Sequence, residues 1–295
     1  MSDTGIAQNI ARFGSFRSRA ASHAGTAGRH NEDAYLNRPD LGLWAVADGA
    51  GGHQSGEVAS AEVVDLLQGI EAGLSATDML QEVRSRLETA HARLRAAALC
   101  RGADVIMATT AVVVLARDDY FACLWAGDSP AYLLRANTLT KITRDHSLVQ
   151  DLVESGIISE TEATNHPQAN VITRAVGADA DALNLDKRTG RLVLGDRLLL
   201  CSDGLSKTLS NERLAELLSG GGDTSAERLV MAALDAQAID NVTAVIIDFD
   251  ADDGSTTLQA SPSSVPASTA AEASAGSSAD EHRGVAHNDG PPVGA

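Results

Sequence analysis

Four aspartates in this sequence stand beside small turn residues, in Asp48-Gly49, Gly127-Asp128-Ser129, Asp203-Gly204 and Asp240-Asn241. The "NED" stretch (31–33) adds Glu32 and Asp33 just before a short extended run, "AYLNR". Gathered in one place, these acids would repel one another and be costly to desolvate. A bound cation resolves both problems. Its ligands would all be oxygens, because no Cys or His stands at metal-ligand spacing, and that favours Mg²⁺ or Mn²⁺ over zinc. Glycine after Asp48 lets the backbone, including a carbonyl, come close to such an ion. The spacing leaves a second reading open, in which these are separately solvated turn acids.

The glycines of "VADGAGGHQSGEVAS" (46–60) do not make a phosphate loop. A Walker loop needs Lys then Ser or Thr after its second glycine, and here Gly51 to Gly56 is followed by Glu57 and Val58. The dinucleotide fingerprint also fails, since Gly49-x-Gly51 is followed by Gln54 where glycine is required. None of Cys100, Cys123 and Cys201 has the C-x₅-R context of a cysteine nucleophile.

The elements that must position these acids are mostly β-rich runs: 41–48, 109–117, 120–127, "PAYLLRA", 196–203 and 241–249. Asp118-Asp119 reads as a hairpin turn. Asp48, Asp128 and Asp203 close strands and Asp240 opens one, and in antiparallel neighbours such ends lie side by side. Helical periodicity appears in 55–70, where Val58, Ala59, Val63, Leu66, Leu67 and Ile70 fall near one face, and again in 77–98, 147–155, 211–219 and 225–236. Strands joined by turns, not by regular crossover helices, point to an α+β layered architecture of antiparallel sheets covered by helices.

The chain has 295 residues and 44% hydrophobic content, enough for a sizeable core. Its formal charge of -17 argues against nucleic acid or an anionic membrane as a partner through bulk charge. Three unpaired-looking cysteines fit a reducing, cytoplasmic compartment. No apolar run approaches the roughly 18 residues that span a bilayer. Residues 1–19 read as a flexible leader and 20–249 as one folded domain. Residues 250–295, rich in Ala, Ser, Gly, Pro and acid, read as a disordered acidic tail.

In their order these segments resemble the PP2C-like (PPM) family of metal-dependent protein serine/threonine phosphatases, in its compact bacterial form. The resemblance is carried by "GTAGRHNEDAY" (25–35), "VADGAGGHQSGEVAS" (46–60), "ATT" (108–110), "AGDSPAYLLR" (126–135), "TRDHSLVQDLVESGII" (143–158), "HPQANVITRAVG" (166–177), "LLLCSDGLS" (199–206) and "DNVTAVII" (240–247). Each run is weak alone, and the ordered set is specific.

The resemblance implies a four-layer α-β-β-α sandwich of two mainly antiparallel sheets flanked by helices, with two divalent cations, Mg²⁺ or Mn²⁺, at one end. Asp48 would bridge both ions. The Gly49 carbonyl and an acid of "NED", Asp33 with Glu32 beside it, would hold one ion, and Asp203 and Asp240 the other. Asp128 matches a ligand of a weaker third ion. The implied chemistry is dephosphorylation of phosphoserine and phosphothreonine proteins by direct attack of a bimetal-activated water, opposing a serine/threonine kinase pathway. The implied protein is monomeric.

Two departures stand out. The family's phosphate-clamping arginine falls on Gly28, with Arg29 one residue later and Arg174 a second candidate for the role. Lys207 stands where relatives commonly carry an acid, and it would either displace a third ion or turn away. These departures support an alternative reading, a weakly active or inactive metal-binding signalling scaffold of the same fold. His53 reads as a loop brace, His146 and His166 flank a mobile flap, and Trp44 and Trp125 read as core.

Overall fold

A computed structural model of the chain describes residues 14–27, 30–50, 55–102, 105–178, 182–220 and 222–251. Its strands are β1 (Gly14–His23), β2 (Asp33–Arg38), β3 (Leu43–Ala50), β4 (Ala108–Thr109), β5 (Ala111–Arg117), β6 (Tyr120–Ala126), β7 (Ala131–Arg135), β8 (Thr138–Lys141), β9 (Asp186–Arg191), β10 (Asp196–Cys201) and β11 (Val242–Ala251). Its helices are α1 (Ser55–Gln68), α2 (Ala76–Arg101), α3 (Leu148–Glu154), α4 (Glu160–Thr164), α5 (Asp203–Ser206), α6 (Asn211–Ser219) and α7 (Ser225–Asp235).

The strands form two antiparallel sheets, ordered β1-β11-β10-β7-β8 and β2-β3-β5-β6-β9, with β4 paired to β3. The period-two rule decides what each face meets. Along β3, Trp44 and Val46 enter the core between the sheets, while Leu43, Ala45 and Ala47 pack against α1 and α2. Along β5, Val112 and Val114 face the other sheet and Val113 and Leu115 face the helices. The first sheet behaves alike: Leu198, Leu200, Val245 and Ile247 point inward, and Leu199, Cys201, Ala244 and Ile246 pack on α6 and α7. Strands buried on both faces explain why the central runs read as nearly unbroken apolar stretches. The layers are those of the expected α-β-β-α sandwich.

The helices bury one stripe each. In α2, Met79, Val83, Leu87, Ala90, Leu94 and Ala98 recur every three or four residues, and Ser75 caps the N-terminus by accepting from the Asp78 amide. Val58, counted with the apolar face of α1 by periodicity, is exposed instead. Trp44 is fully buried, and truncating a side chain of that size costs about 3–5 kcal/mol.

Two domain limits need correcting. Residues 14–19 are not leader, because β1 starts at Gly14 and pairs with β11 through Ala251. Phe16 and Ala20 face the core, while Arg17 and Arg19 face outward onto Asp250 and Asp248. That alternation has meaning only beside β11, so it is invisible in the isolated segment. For the same reason the domain extends past 249, since β11 runs to Ala251. Residues 1–13, and 252–295 of the tail, lie outside the described residues.

Candidate metal centre

Alternation along β3 aims the first acid. Val46 points between the sheets, so Asp48, two residues on, points there too. Asp33 on β2 is its register partner, and directly opposed residues share a face. Asp48 does not close its strand. At Asp48, β3 leaves β5, with which it pairs from Leu43 to Val46, and takes β4 as partner at Gly49 and Ala50. The switch is held by hydroxyls: the Asp48 amide donates to Thr110 Oγ1 at 2.9 Å, and Thr109 Oγ1 donates to the Asp48 carbonyl at 2.9 Å. Thr110 Oγ1 in turn bonds Ser129 Oγ at 2.6 Å.

Gly49 is needed for close approach. A Cβ there would stand 2.1 Å from the Gly56 carbonyl oxygen and 2.8 Å from that of Glu32. The Gly49 amide donates to the Glu32 carbonyl at 3.1 Å. The Glu32 carboxylate itself lies against Gly56, in the first turn of α1.

The opposite sheet supplies the other acids. β10 ends at Cys201, and Asp203 opens α5 instead of closing the strand. Asp240 precedes β11, and the two turns touch: a Cβ on Gly204 would meet the Asn241 carbonyl oxygen at 2.0 Å and the Asp240 Cβ at 3.4 Å. Asn241 joins the sheets. Its Oδ1 accepts from the Glu32 amide at 2.8 Å, and its Nδ2 donates to the carbonyls of Ala24 and His30. Asp128 sits in the turn crossing from β6 to β7, braced by His146, whose Nδ1 accepts from the Gly127 amide at 3.2 Å.

Asp33, Asp48, Asp128, Asp203 and Asp240 thus share one end of the sandwich within electrostatic reach. Loss of solvent, then repulsion from Asp33, Asp203, Asp128 and Asp240, raises Asp48 well above the usual carboxylate range. Burial, aided by Asp203 and Asp240, pushes Asp33 up to about 7. Burial and Asp203 push Asp128 up to about 6 against the opposing pull of Lys207. Both carboxylate oxygens of Asp33 are out of contact with solvent and have no hydrogen-bond partner among the described residues. The Thr243 and Ser202 hydroxyls lie near enough to favour its charge in part. Thr243 Oγ1 shares a hydrogen bond with Ser22 Oγ, while Ser202 Oγ accepts from the Thr243 amide at 3.0 Å and donates to the Asn241 carbonyl at 3.4 Å.

Among the described residues, no three acidic, Cys or His side chains already form a closed coordination group. The donors present nonetheless suit hard divalent cations. They are carboxylate oxygens under mutual repulsion, two of them orphaned and buried, which is the arrangement a cation relieves.

Arg174 is engaged by Asp186 at 3.0 Å and stands 3.5 Å from His146 Nε2. Gly28, Arg29 and His53 fall outside the described residues. His146 is fully buried, with its ring stacked on Trp125. Lys207 does not turn away: its ammonium reaches Asp203 Oδ2 at 2.5 Å and Asp128 Oδ2 at 3.2 Å. Thr109, Thr110 and the bridging amide of Asn241 were not identifiable as supports from residue type alone, since their partners are distant in sequence.

Comparison with known proteins bears on the family. The family model described as "Protein phosphatase 2C" matches residues 19–237. The serine/threonine protein phosphatase PstP of Mycobacterium tuberculosis is 36% identical over 233 residues, covering 79% of this chain and 45% of that protein. The chain therefore spans about half the length of the first curated relatives it matches. A solved structure of PppA, described as a key regulatory component of T6SS in Pseudomonas aeruginosa, superposes with a TM-score of 0.74 at 40% identity, covering 80% of this chain and 99% of that one. The crystal structure of the PstP catalytic domain in complex with 2 manganese ions superposes with a TM-score of 0.70 at 34% identity, covering 80% and 98% of the two chains. By sequence and by fold, this chain belongs to the protein phosphatase 2C family.

Proposed function

We propose that this chain hydrolyses phosphoserine and phosphothreonine esters on proteins at the acid-lined end of its sandwich. The observation that carries the reading is the convergence of Asp33, Asp48, Asp203 and Asp240 from separate elements, with the Asp33 oxygens buried and unpaired. The likeness to a relative's manganese complex supports it. Asp33 and Asp48, with the Gly49 carbonyl and Glu32 beside them, are the residues to hold one divalent cation. Asp48, Asp203 and Asp240 are those to hold a second, and Asp128 is a peripheral ligand. Bound there, two Mg²⁺ or Mn²⁺ ions would supply an activated water for direct attack on phosphorus and neutralise the phosphoryl oxygens.

The chain's own part is positional. Thr109 and Thr110 fix the Asp48 backbone from both sides, and Asn241 fixes the Glu32 segment to β11. Cys123 and Cys201 are buried, and burial pushes both thiols far up, so neither supplies a thiolate nucleophile. The substrate's phosphate is to be met by Arg29, since Arg174 is already engaged by Asp186. The partners are phosphoproteins of a serine/threonine kinase pathway, and the setting is the cytoplasm of a bacterium, with the chain acting as a monomer. Among the described residues no helix is long and apolar enough to cross a membrane.

The test is hydrolysis of a chromogenic phosphate ester and of phosphoserine and phosphothreonine peptides, with Mn²⁺, with Mg²⁺ and with chelator. Turnover that needs metal and prefers phosphopeptides to sugar phosphates is expected. No metal-dependent turnover by the pure protein would favour the scaffold reading instead.

A further inference from the structure

Lys207 is the C-cap residue of α5, one helical turn beyond Asp203. An ammonium has three donors, and here each has a partner: Asp203 Oδ2 at 2.5 Å, Asp128 Oδ2 at 3.2 Å and Asn170 Oδ1 at 2.9 Å. The first two partners belong to the acid cluster. The third lies in the 147–172 segment, whose ends meet at the Ser147–Ile172 bridge. That segment carries α3 and α4, and neither helix buries a residue. A hairpin-like excursion with so little core of its own takes its position from polar contacts. Burial works against the charge on Lys207, but Asp203 and Asp128 outweigh it and hold the ammonium above its ordinary range.

We propose that Lys207 is a positioning residue that acts as a resident cation between Asp128 and Asp203 and latches the 147–172 segment to the acid cluster through Asn170. A side-chain cation bonded to both carboxylates fills the place and the charge that a further divalent ion would need there. The 147–172 segment is tied to the same carboxylates that would hold metal, so its position and the state of the site are coupled. The ion-exclusion half rests on the proposed metal reading, and the latch half does not.

The test is hydrogen exchange across 147–172 in chelator-treated wild type, Lys207→Ala, Lys207→Arg and Asn170→Ala proteins, followed by Mn²⁺ titration of each by calorimetry. Loss of one such bond is worth about 1.4 kcal/mol, so Lys207→Ala and Asn170→Ala should each speed exchange in the segment about tenfold. Lys207→Arg should restore slow exchange, which mere loss of packing would not predict. Lys207→Ala alone should bind an additional Mn²⁺ per chain. Unchanged exchange in both alanine variants overturns the latch. An unchanged ion count in Lys207→Ala, with wild type binding Mn²⁺, overturns the exclusion. Wild type binding no Mn²⁺ overturns the metal reading itself, and the exchange result then decides the latch alone. Should Lys207→Ala fail to fold, Asn170→Ala, which removes only an amide, still decides it.

Discussion

Asp33 and Asp48 face each other across adjacent antiparallel strands as direct register partners, both on the inner face of their sheet. Further along that face Trp44 and Val46 belong to the apolar core between the sheets, and Asn37 meets Ser18 of the other sheet through a hydrogen bond at 2.6 Å. Two like charges placed opposite in this way destabilise the pair that carries them. The fold holds them together because the rest of the sandwich fixes the register, and a one-residue slip would turn Trp44 and Val46 out of the core. The position of the acids is therefore a by-product of burying the strands, and their repulsion is the free energy available to a bound cation.

Asp48→Asn should separate stability from activity. The substitution removes a like charge from a crowded, half-buried group while keeping its shape. In chelator the variant should melt several degrees above wild type. With Mn²⁺ its turnover of a phosphopeptide should fall by more than about a hundredfold, roughly 3 kcal/mol of transition-state stabilisation. Wild-type turnover in the variant would remove Asp48 from the metal site.

The pH dependence of the metal-free protein has a defined sign. Asp33 is raised to about 7, chiefly by burial. Between its unfolded value near 4 and its folded value near 7, the folded protein keeps a proton that the unfolded chain has released. Stability from this group is thus present at low pH and is lost as pH rises through that window. In chelator, wild-type melting temperature should fall from pH 5 to pH 8 more steeply than that of Asp33→Asn. Parallel curves for the two proteins would show that Asp33 is not raised.

The sequence made the interior legible and the margins not. Central strands β3, β5, β6, β10 and β11 are buried on both faces and announce themselves as apolar runs. The strands that escaped notice, β1, β8 and β9, are all sheet edges, with compositions such as DKRTGR in β9. An edge strand has one partner and an exposed face, so its pattern is set by that partner. Gly190 in β9 illustrates this, since a Cβ there would stand 2.5 Å from the Phe121 ring. At the site, Asp48 and Asp203 stood out because each adjoins a glycine that permits close approach, and Asp240 because it adjoins the turn residue Asn241. Their supports did not, because Thr110 reaches back to Asp48 and Asn241 reaches to Glu32 only after folding. The direction taken by Lys207 was likewise undetermined by its position four residues after Asp203, and the ion pair settles it.

Gly204→Ala tests how tightly the two acid-bearing turns are joined. The added methyl would meet the Asn241 carbonyl oxygen, a backbone atom with nowhere to withdraw, at 2.0 Å. Overpacking of this kind costs typically about 1–3 kcal/mol. Because Asn241 also holds the Glu32 amide, Mn²⁺ affinity should fall along with melting temperature. A variant with wild-type melting and wild-type Mn²⁺ affinity would show that the turns can part without consequence.

The two arginine candidates are separable by kinetics. Arg174 is spent on Asp186 and stands beside His146, which braces the Gly127 amide ahead of Asp128. Its removal should lower thermal stability by about 1 kcal/mol or less, the usual range for a partly exposed ion pair, and change KM for a phosphopeptide by under about twofold. Arg29→Ala should instead raise KM about tenfold or more with a smaller effect on kcat, as expected when ground-state phosphate binding is lost. The reverse result, a large KM effect at position 174 and none at 29, would mean that Asp186 releases Arg174 to the phosphate when substrate arrives.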